Sequence, residues 1–179
     1  MLGPAACVAG LFISCENNEI EEVLEYSILE NPPSRTTFEA SYQYTDSGRI
    51  TNILNAGKVE RFELSDSSYS LISEGFELVF YKKSGEFDGR LTALNGYVSG
   101  DNSMMIARDS VVFVNRMKEE LITEELYWKQ DSAKVLTDKF VTIKRNDIVI
   151  YGKGLISDEN FTNYTIREPS GEIYLKDEG

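Results

Sequence analysis

The apolar positions of this chain recur at the spacing of strands and do not settle into a helical period. Residues 38–44, 76–81, 111–115, 136–144, 148–151, 164–167 and 173–175 are rich in β-branched and aromatic side chains, the types that fit a pleated surface. Between them stand turn signals: Asp46-Ser47-Gly48, Ser84-Gly85, Asn95-Gly96, Ser99-Gly100-Asp101-Asn102, Asn146-Asp147 and Pro169-Ser170-Gly171. The spacing is short and regular, which predicts an all-β sandwich or barrel. Residues 117–128 (MKEELITEELYW) have the Glu, Leu and Lys content of a helix. The segment is read as strand nevertheless, because it falls in step with a repeat.

The repeat is visible when small or hydroxyl anchors are aligned. Leu54-Asn55-Ala56, Leu91-Thr92-Ala93, Leu121-Ile122-Thr123 and Ile150-Tyr151-Gly152 each follow a turn, and their third residues lie 37, 30 and 29 positions apart. An apolar or aromatic residue follows each anchor: Val59, Tyr97, Leu126 and Leu155. Each unit therefore reads as strand, turn, strand, small residue, strand. Periods of this size belong to stacked supersecondary units that cannot bury their own faces alone.

Several strands are apolar on both faces. Val111-Val112-Phe113-Val114 and Ile148-Val149-Ile150-Tyr151 show no clean alternation, whereas a sheet with one wet face alternates apolar and polar positions. Such strands imply either a thick, well-covered core or an interior that accepts something greasy.

The N-terminus changes the picture. MLGPAACVAGLFISC is apolar or small up to Cys15, too short to span a bilayer, and reads as the apolar part of a secretory signal. Leu11-Phe12-Ile13-Ser14-Cys15 has the form of a bacterial lipobox, with Cys15 as the lipid-attachment residue. It departs from the pattern in two ways. Phe12 stands where leucine is usual, and no Lys or Arg precedes the apolar run, as a truncated start would give. After processing, Cys15 would be the remaining cysteine, so no intrachain disulfide is expected. The acidic run ENNEIEEVLE and Asn31-Pro32-Pro33-Ser34 read as a tether. The organisation expected is a signal over 1–14, an anchor and tether over 15–34, and a β domain over 35–179.

Charge and composition narrow the chemistry. The net charge is −12, with a pI near 4.5, so nucleic acid is excluded as a partner and an anionic bilayer surface would be repelled. There is no histidine, which removes Ser-His-Asp and Cys-His catalysis and the commonest metal ligand. Glu119-Glu120 and Glu124-Glu125 are adjacent on a strand, point to opposite faces and read as solvated charge rather than an acid/base pair. No enzyme activity, metal or cofactor is expected, and no Walker motif is present.

The succession from Gly48 through Leu54-Asn55-Ala56, Gly75-Phe76-Glu77-Leu78-Val79-Phe80, Ser84-Gly85 and Leu91-Thr92-Ala93 to residues 111–115 resembles the LptC family. Residues 121–128, Thr137-Asp138, Val141-Thr142-Ile143 and Tyr151-Gly152-Lys153-Gly154-Leu155 continue the resemblance, which covers residues 40–175. It implies a twisted antiparallel β-jellyroll open at both ends, in a periplasmic component of lipopolysaccharide export. It also implies lipopolysaccharide acyl chains between the two sheets, and strand edges paired with an ATP-driven inner-membrane ABC transporter and with the soluble bridge protein LptA. The family usually carries an N-terminal transmembrane helix. The lipobox departs from that and implies a periplasmic lipoprotein, held at the inner membrane by preference.

Residues expected to line the interior are Ile72, Phe76, Leu78, Phe80, Ile106, Val112, Val114, Val141 and Ile143, with plain core packing as the alternative for each. Gly48, Gly85 and Gly171 are expected at turns, and Gly152 at a close sheet-to-sheet approach. Trp128 reads as core or rim. Two functions compete: a carrier of lipopolysaccharide with an accessible apolar groove, and a scaffold lipoprotein with a closed core that pairs only through its edges.

Overall fold

A computed structural model describes residues 31–145, 148–159 and 161–170. The signal, Cys15, most of the tether, Gly171 and the strand expected at 173–175 lie outside the described residues. The strands are β1 (Arg35–Asp46), β2 (Arg49–Glu63), β3 (Ser68–Tyr81), β4 (Phe87–Ala93), β5 (Asn95–Ser99), β6 (Met104–Asn115), β7 (Glu120–Lys129), β8 (Lys134–Arg145), β9 (Ile148–Asp158) and β10 (Tyr164–Ser170). A single 3-10 turn, Gln130–Ser132, joins β7 to β8. The segment with helical composition is β7: its apolar residues alternate, with Leu121, Thr123 and Leu126 buried, and pairing on both sides overrides local propensity.

All ten strands form one antiparallel sheet, ordered β1-β2-β3-β4-β6-β7-β8-β9-β10, with β5 pairing β3 and β6. Thus β4 and β5 share one slot between β3 and β6 and are two parts of one strand, interrupted at Leu94. Every neighbouring strand is disturbed at the same level. Residues there take left-handed backbone angles in β1 (Glu39, φ 47°), β3 (Glu74, 62°, and Gly75, 81°), β6 (Asp109, 64°, and Ser110, 55°) and β9 (Gly154, 76°). The β2–β3, β6–β7, β7–β8 and β8–β9 registers slip at this line. Bulges bend strands and increase their twist, so a row of them folds one sheet into two facing halves.

The sequence repeat marks this bend. Ala56, Ala93, Thr123 and Gly152, the third residues of the four anchors, are all buried and sit immediately before it. The register runs Ala40, Ala56, Phe76, Ala93 on one side and Val111, Thr123, Val141, Gly152, Pro169 on the other. Small residues are needed because the halves converge here. A Cβ on Gly57 would stand 2.6 Å from the Glu74 carbonyl oxygen. Backbone groups left over by the bulges find partners: Gly75 N–H donates to the Leu94 carbonyl and Leu94 N–H to that of Asp109, both at 3.0 Å. Thr123 Oγ1 donates to the Phe140 carbonyl at 2.8 Å, and Thr137 Oγ1 accepts from Lys139 N–H at 3.1 Å. These bonds explain why fully buried hydroxyls are tolerated at the fold line.

One core runs between the halves, from Ala40, Leu54 and Ile72 at the β1 side to Val141, Ile143 and Leu155 at the β9 side.

Candidate functional site

Pleat parity decides which residues face the interior. In β3, Phe76 and Leu78 are buried and Phe80 is partly buried against the same core. Ile72 on the other side of the bend, and Val141 and Ile143 in β8, join them there. Val112 and Val114 do not. In β6 the buried residues are Val111 and Phe113, so Val112 and Val114 lie on the outer face. Ile106 is buried but stands outside the core cluster. Its cross-strand partners are Tyr97 and Tyr127, and the alternate residue Ala107 points inward, which puts Ile106 on the outer face as well. The reason is physical: β6 is apolar on both faces, so its composition carries no parity, and a one-residue choice turns every side chain over.

The turn glycines Gly48 and Gly85 have φ of 78° and 86°. Gly152 makes a close approach within the sheet: a Cβ there would meet Ile166 at 2.3 Å and the Glu168 carbonyl at 2.9 Å, both on β10. The carboxylate pairs are separated by cations rather than facing each other. Glu119 pairs with Arg145 at 2.6 Å, Glu120 with Lys144 at 3.1 Å and Glu125 with Arg108 at 2.7 Å, while Glu124 is exposed. Burial works against the Glu125 charge, but hydrogen bonds from Arg108 and Tyr127 outweigh it and hold the carboxyl below its ordinary range.

The interior is filled unevenly. Toward β6–β10 it is packed: Phe161, from the β9–β10 loop, stacks on Phe113 with ring centroids 4.1 Å apart, and Phe113 meets Phe80 edge-on at 6.2 Å. The space left among Phe80, Leu91, Met105, Leu126 and Trp128 is a cavity of about 30 Å³, room for a water-sized body and no more. Toward β1–β5 the halves part. One groove of about 430 Å³ is lined by Tyr44, Leu54, Leu78, Val98, Met105 and Trp128, with Asp46, Asp101 and Asn102 at its rim. A second, of about 160 Å³, is lined by Tyr42, Leu54, Val59, Ile72 and Val98, with Arg35 and Arg61 among its polar members. They share Tyr44, Leu54, Val98 and Asn102, and so form one continuous opening. A polar cavity of about 340 Å³ lies on the other side of the Phe161 ring, lined by Phe161, Thr162 and Tyr164 with Lys82, Arg116 and Arg145.

Sequence reading missed most of this opening. Tyr42, Tyr44, Leu54, Val59, Val98 and Met105 come from four strands and meet only because the sheet folds. The signal available was Tyr42 and Tyr44 at alternate positions, a spacing that puts both on one face. Burial, and secondarily the neighbouring Tyr42, raises the Tyr44 hydroxyl above its ordinary value, so it stays protonated. The opening thus combines apolar side chains with a protonated Tyr44 hydroxyl and polar members that include Asp46, Asp101, Arg35 and Arg61.

A single antiparallel sheet, folded along a line of bulges around an apolar core, defines the molecule as a jellyroll-like β module. The chain belongs to the lipopolysaccharide-assembly, LptC-related family, whose model matches residues 5–166. Comparison with curated proteins finds no match. Membership places the chain in lipopolysaccharide transport, in a family of transport components associated with the periplasm and the inner membrane. Among the described residues, no helix is long and apolar enough to cross a membrane.

Proposed function

We propose that the protein carries lipopolysaccharide from the inner membrane towards the outer membrane, holding acyl chains between the two halves of the sheet. The observation that supports this most directly is the apolar groove of about 430 Å³ beside Leu78 and Trp128, within the roughly 300–1,000 Å³ typical of ligand sites. Removing an acyl chain from water is worth roughly 0.8 kcal/mol per methylene, so the walls hold a chain without directional contacts. The sugar head stays at the seam, in water. Onward transfer is driven from outside the chain, by an ABC transporter at the inner membrane, and passes to the soluble bridge protein LptA. The joins are made by edge strands: within the described residues β1 pairs only with β2 and β10 only with β9, leaving main-chain groups for β-augmentation. A lipid on Cys15 holds the domain at the membrane.

The scaffold reading draws on the packed β6–β10 region, where the interior has no room for a chain. In-cell photocrosslinking separates the two. A probe at Leu78 or Ile72 is expected to give lipopolysaccharide adducts, and a probe at Val112, on the outer face, none. Adducts absent from Leu78 and Ile72, with the domain folded and its partners present, would sink the carrier.

A further inference from the structure

Trp128 carries an unmet demand. Its indole nitrogen is shut off from solvent and has no hydrogen-bond partner among the described residues. Buried indole N–H groups usually find an acceptor, and each orphan in a native fold calls for a reason. The side chain stands at the junction of the interior. It lines both the 30 Å³ cavity and the 430 Å³ groove, and its ring meets Phe80 edge-on at 6.1 Å from the opposite half of the sheet.

Resting on the carrier reading, we propose that Trp128 is the polar anchor of the groove, donating its N–H to the carbonyl oxygen of an acyl ester or amide in the bound lipid. The chemistry selects this partner. An indole can only donate, so the partner must be an acceptor. The groove's apolar members are Leu54, Leu78, Val98 and Met105, set among polar Thr45, Thr51, Asn52 and Gln130, so a partner that fills it joins an apolar body to an acceptor. No Lys or Arg lines this groove, while Asp46 and Asp101 do. Hydrogen bonds from Ser99 and Ser103 lower the Asp101 carboxyl to about 2, so its negative charge persists at neutral pH. This part of the opening, apart from Arg35 and Arg61 of the adjoining groove, therefore favours a neutral carbonyl over an anionic group. Met105 is the cross-strand partner of Trp128 and lines the same two cavities. As a flexible thioether it is the side chain that yields when a chain enters. Trp128 then sets how deep the chain sits: hydrocarbon beyond the carbonyl lies inward, and the head lies outside.

The test uses two neutral probes of equal chain length, monolauroylglycerol with an ester carbonyl and dodecylglycerol with an ether. Each is titrated against the full chain loaded with an apolar fluorescent dye, in the native protein and in Trp128→Phe. The native protein should prefer the ester by about two- to tenfold, the range of one net hydrogen bond. Trp128→Phe should lose the ester preference, read as the ratio of the two probe affinities within the variant itself. Trp128 is the only tryptophan in the chain, so its emission should respond more to the ester than to the ether. An ester preference retained by Trp128→Phe, or absent from the native protein while both probes displace the dye, would overturn the anchor and leave the carrier reading standing. Failure of both probes to displace the dye would remove both. If Trp128→Phe does not fold, the native protein's own ester-to-ether ratio and emission still decide.

Discussion

The two ends of the interior are built from the same bent strand and filled differently. At the β6–β10 end, Phe113, Leu121, Val141, Ile143 and Leu155 meet across the fold and Phe161 closes the seam. That ring is held by its loop: Asp158 accepts from the N–H groups of Thr162 and Asn163 at 2.8 and 3.1 Å and from the Asn163 amide at 2.9 Å. At the β1–β5 end, no loop among the described residues delivers a plug. Tyr42 and Tyr44 form the lip instead, Tyr44 with 41% of its surface exposed, and the halves stay apart. The lesson is that strand pairing makes the folded sheet, while a few side chains at the seam decide whether it is a core or a groove. A bend with small residues serves both ends, so stability and access are set independently along one sheet.

The largest expected effect sharpens this contrast. Leu155→Ala, at a residue with 1% exposure, should cost about 2–5 kcal/mol in urea unfolding. Leu54→Ala, equally buried but beside space that already exists, should fall at or below the lower end of that range. Equal losses at both positions would mean that the β1–β5 end is closed in solution. Gly57→Val tests the bend that the two ends share. The new side chain meets the Glu74 backbone, and the variant should lose about 1–3 kcal/mol.

Phe161→Ala should convert the closed end toward the open one. Losing the stacked pair removes about 0.5–1.5 kcal/mol beyond area burial, and binding of an apolar dye should rise. A stable variant with unchanged dye binding would show that Phe161 is not the plug. The smallest effect concerns the rim of the groove. In the folded state the Asp101 carboxyl is lowered to about 2 from its ordinary value of 3.8. A depressed carboxyl contributes stability above its unfolded value and loses it as the pH falls through the folded one. Asp101→Asn should therefore flatten a shallow acid-side loss between pH 3.8 and about 2. An unchanged acid profile would mean that the Ser99 and Ser103 hydrogen bonds do not form in solution.

Strand content, most turns and the repeating unit were legible in the sequence because they are local. β-branched and aromatic runs prefer extended backbone, and Gly48 and Gly85 supply left-handed turns. The repeat was visible as small anchors, but that they mark a fold line was not. The bend depends on bulges such as Glu74-Gly75 and Asp109-Ser110; Gly and Asp tolerate left-handed angles, but nothing in the preferences of Glu or Ser predicts such a residue in mid-strand. Inward and outward positions could be read in β3, where Phe76, Leu78 and Phe80 alternate with Glu77. They could not in β6, where Val111 to Val114 are all apolar and parity comes from pairing with β4 and β7.

By itself, then, the sequence determined an all-β chain of repeated strand-turn-strand units, strongly acidic and without histidine, with the succession of residues that marks its family. Only the tertiary structure decided that the units form one sheet folded on itself, that Val112, Val114 and Ile106 turn outward, and that Trp128 stands between a small cavity and a larger groove with its N–H unpartnered among the described residues. The physical reason is range. Backbone preference acts over a few residues, whereas a groove is the space left between side chains that the fold brings together from opposite ends of the chain.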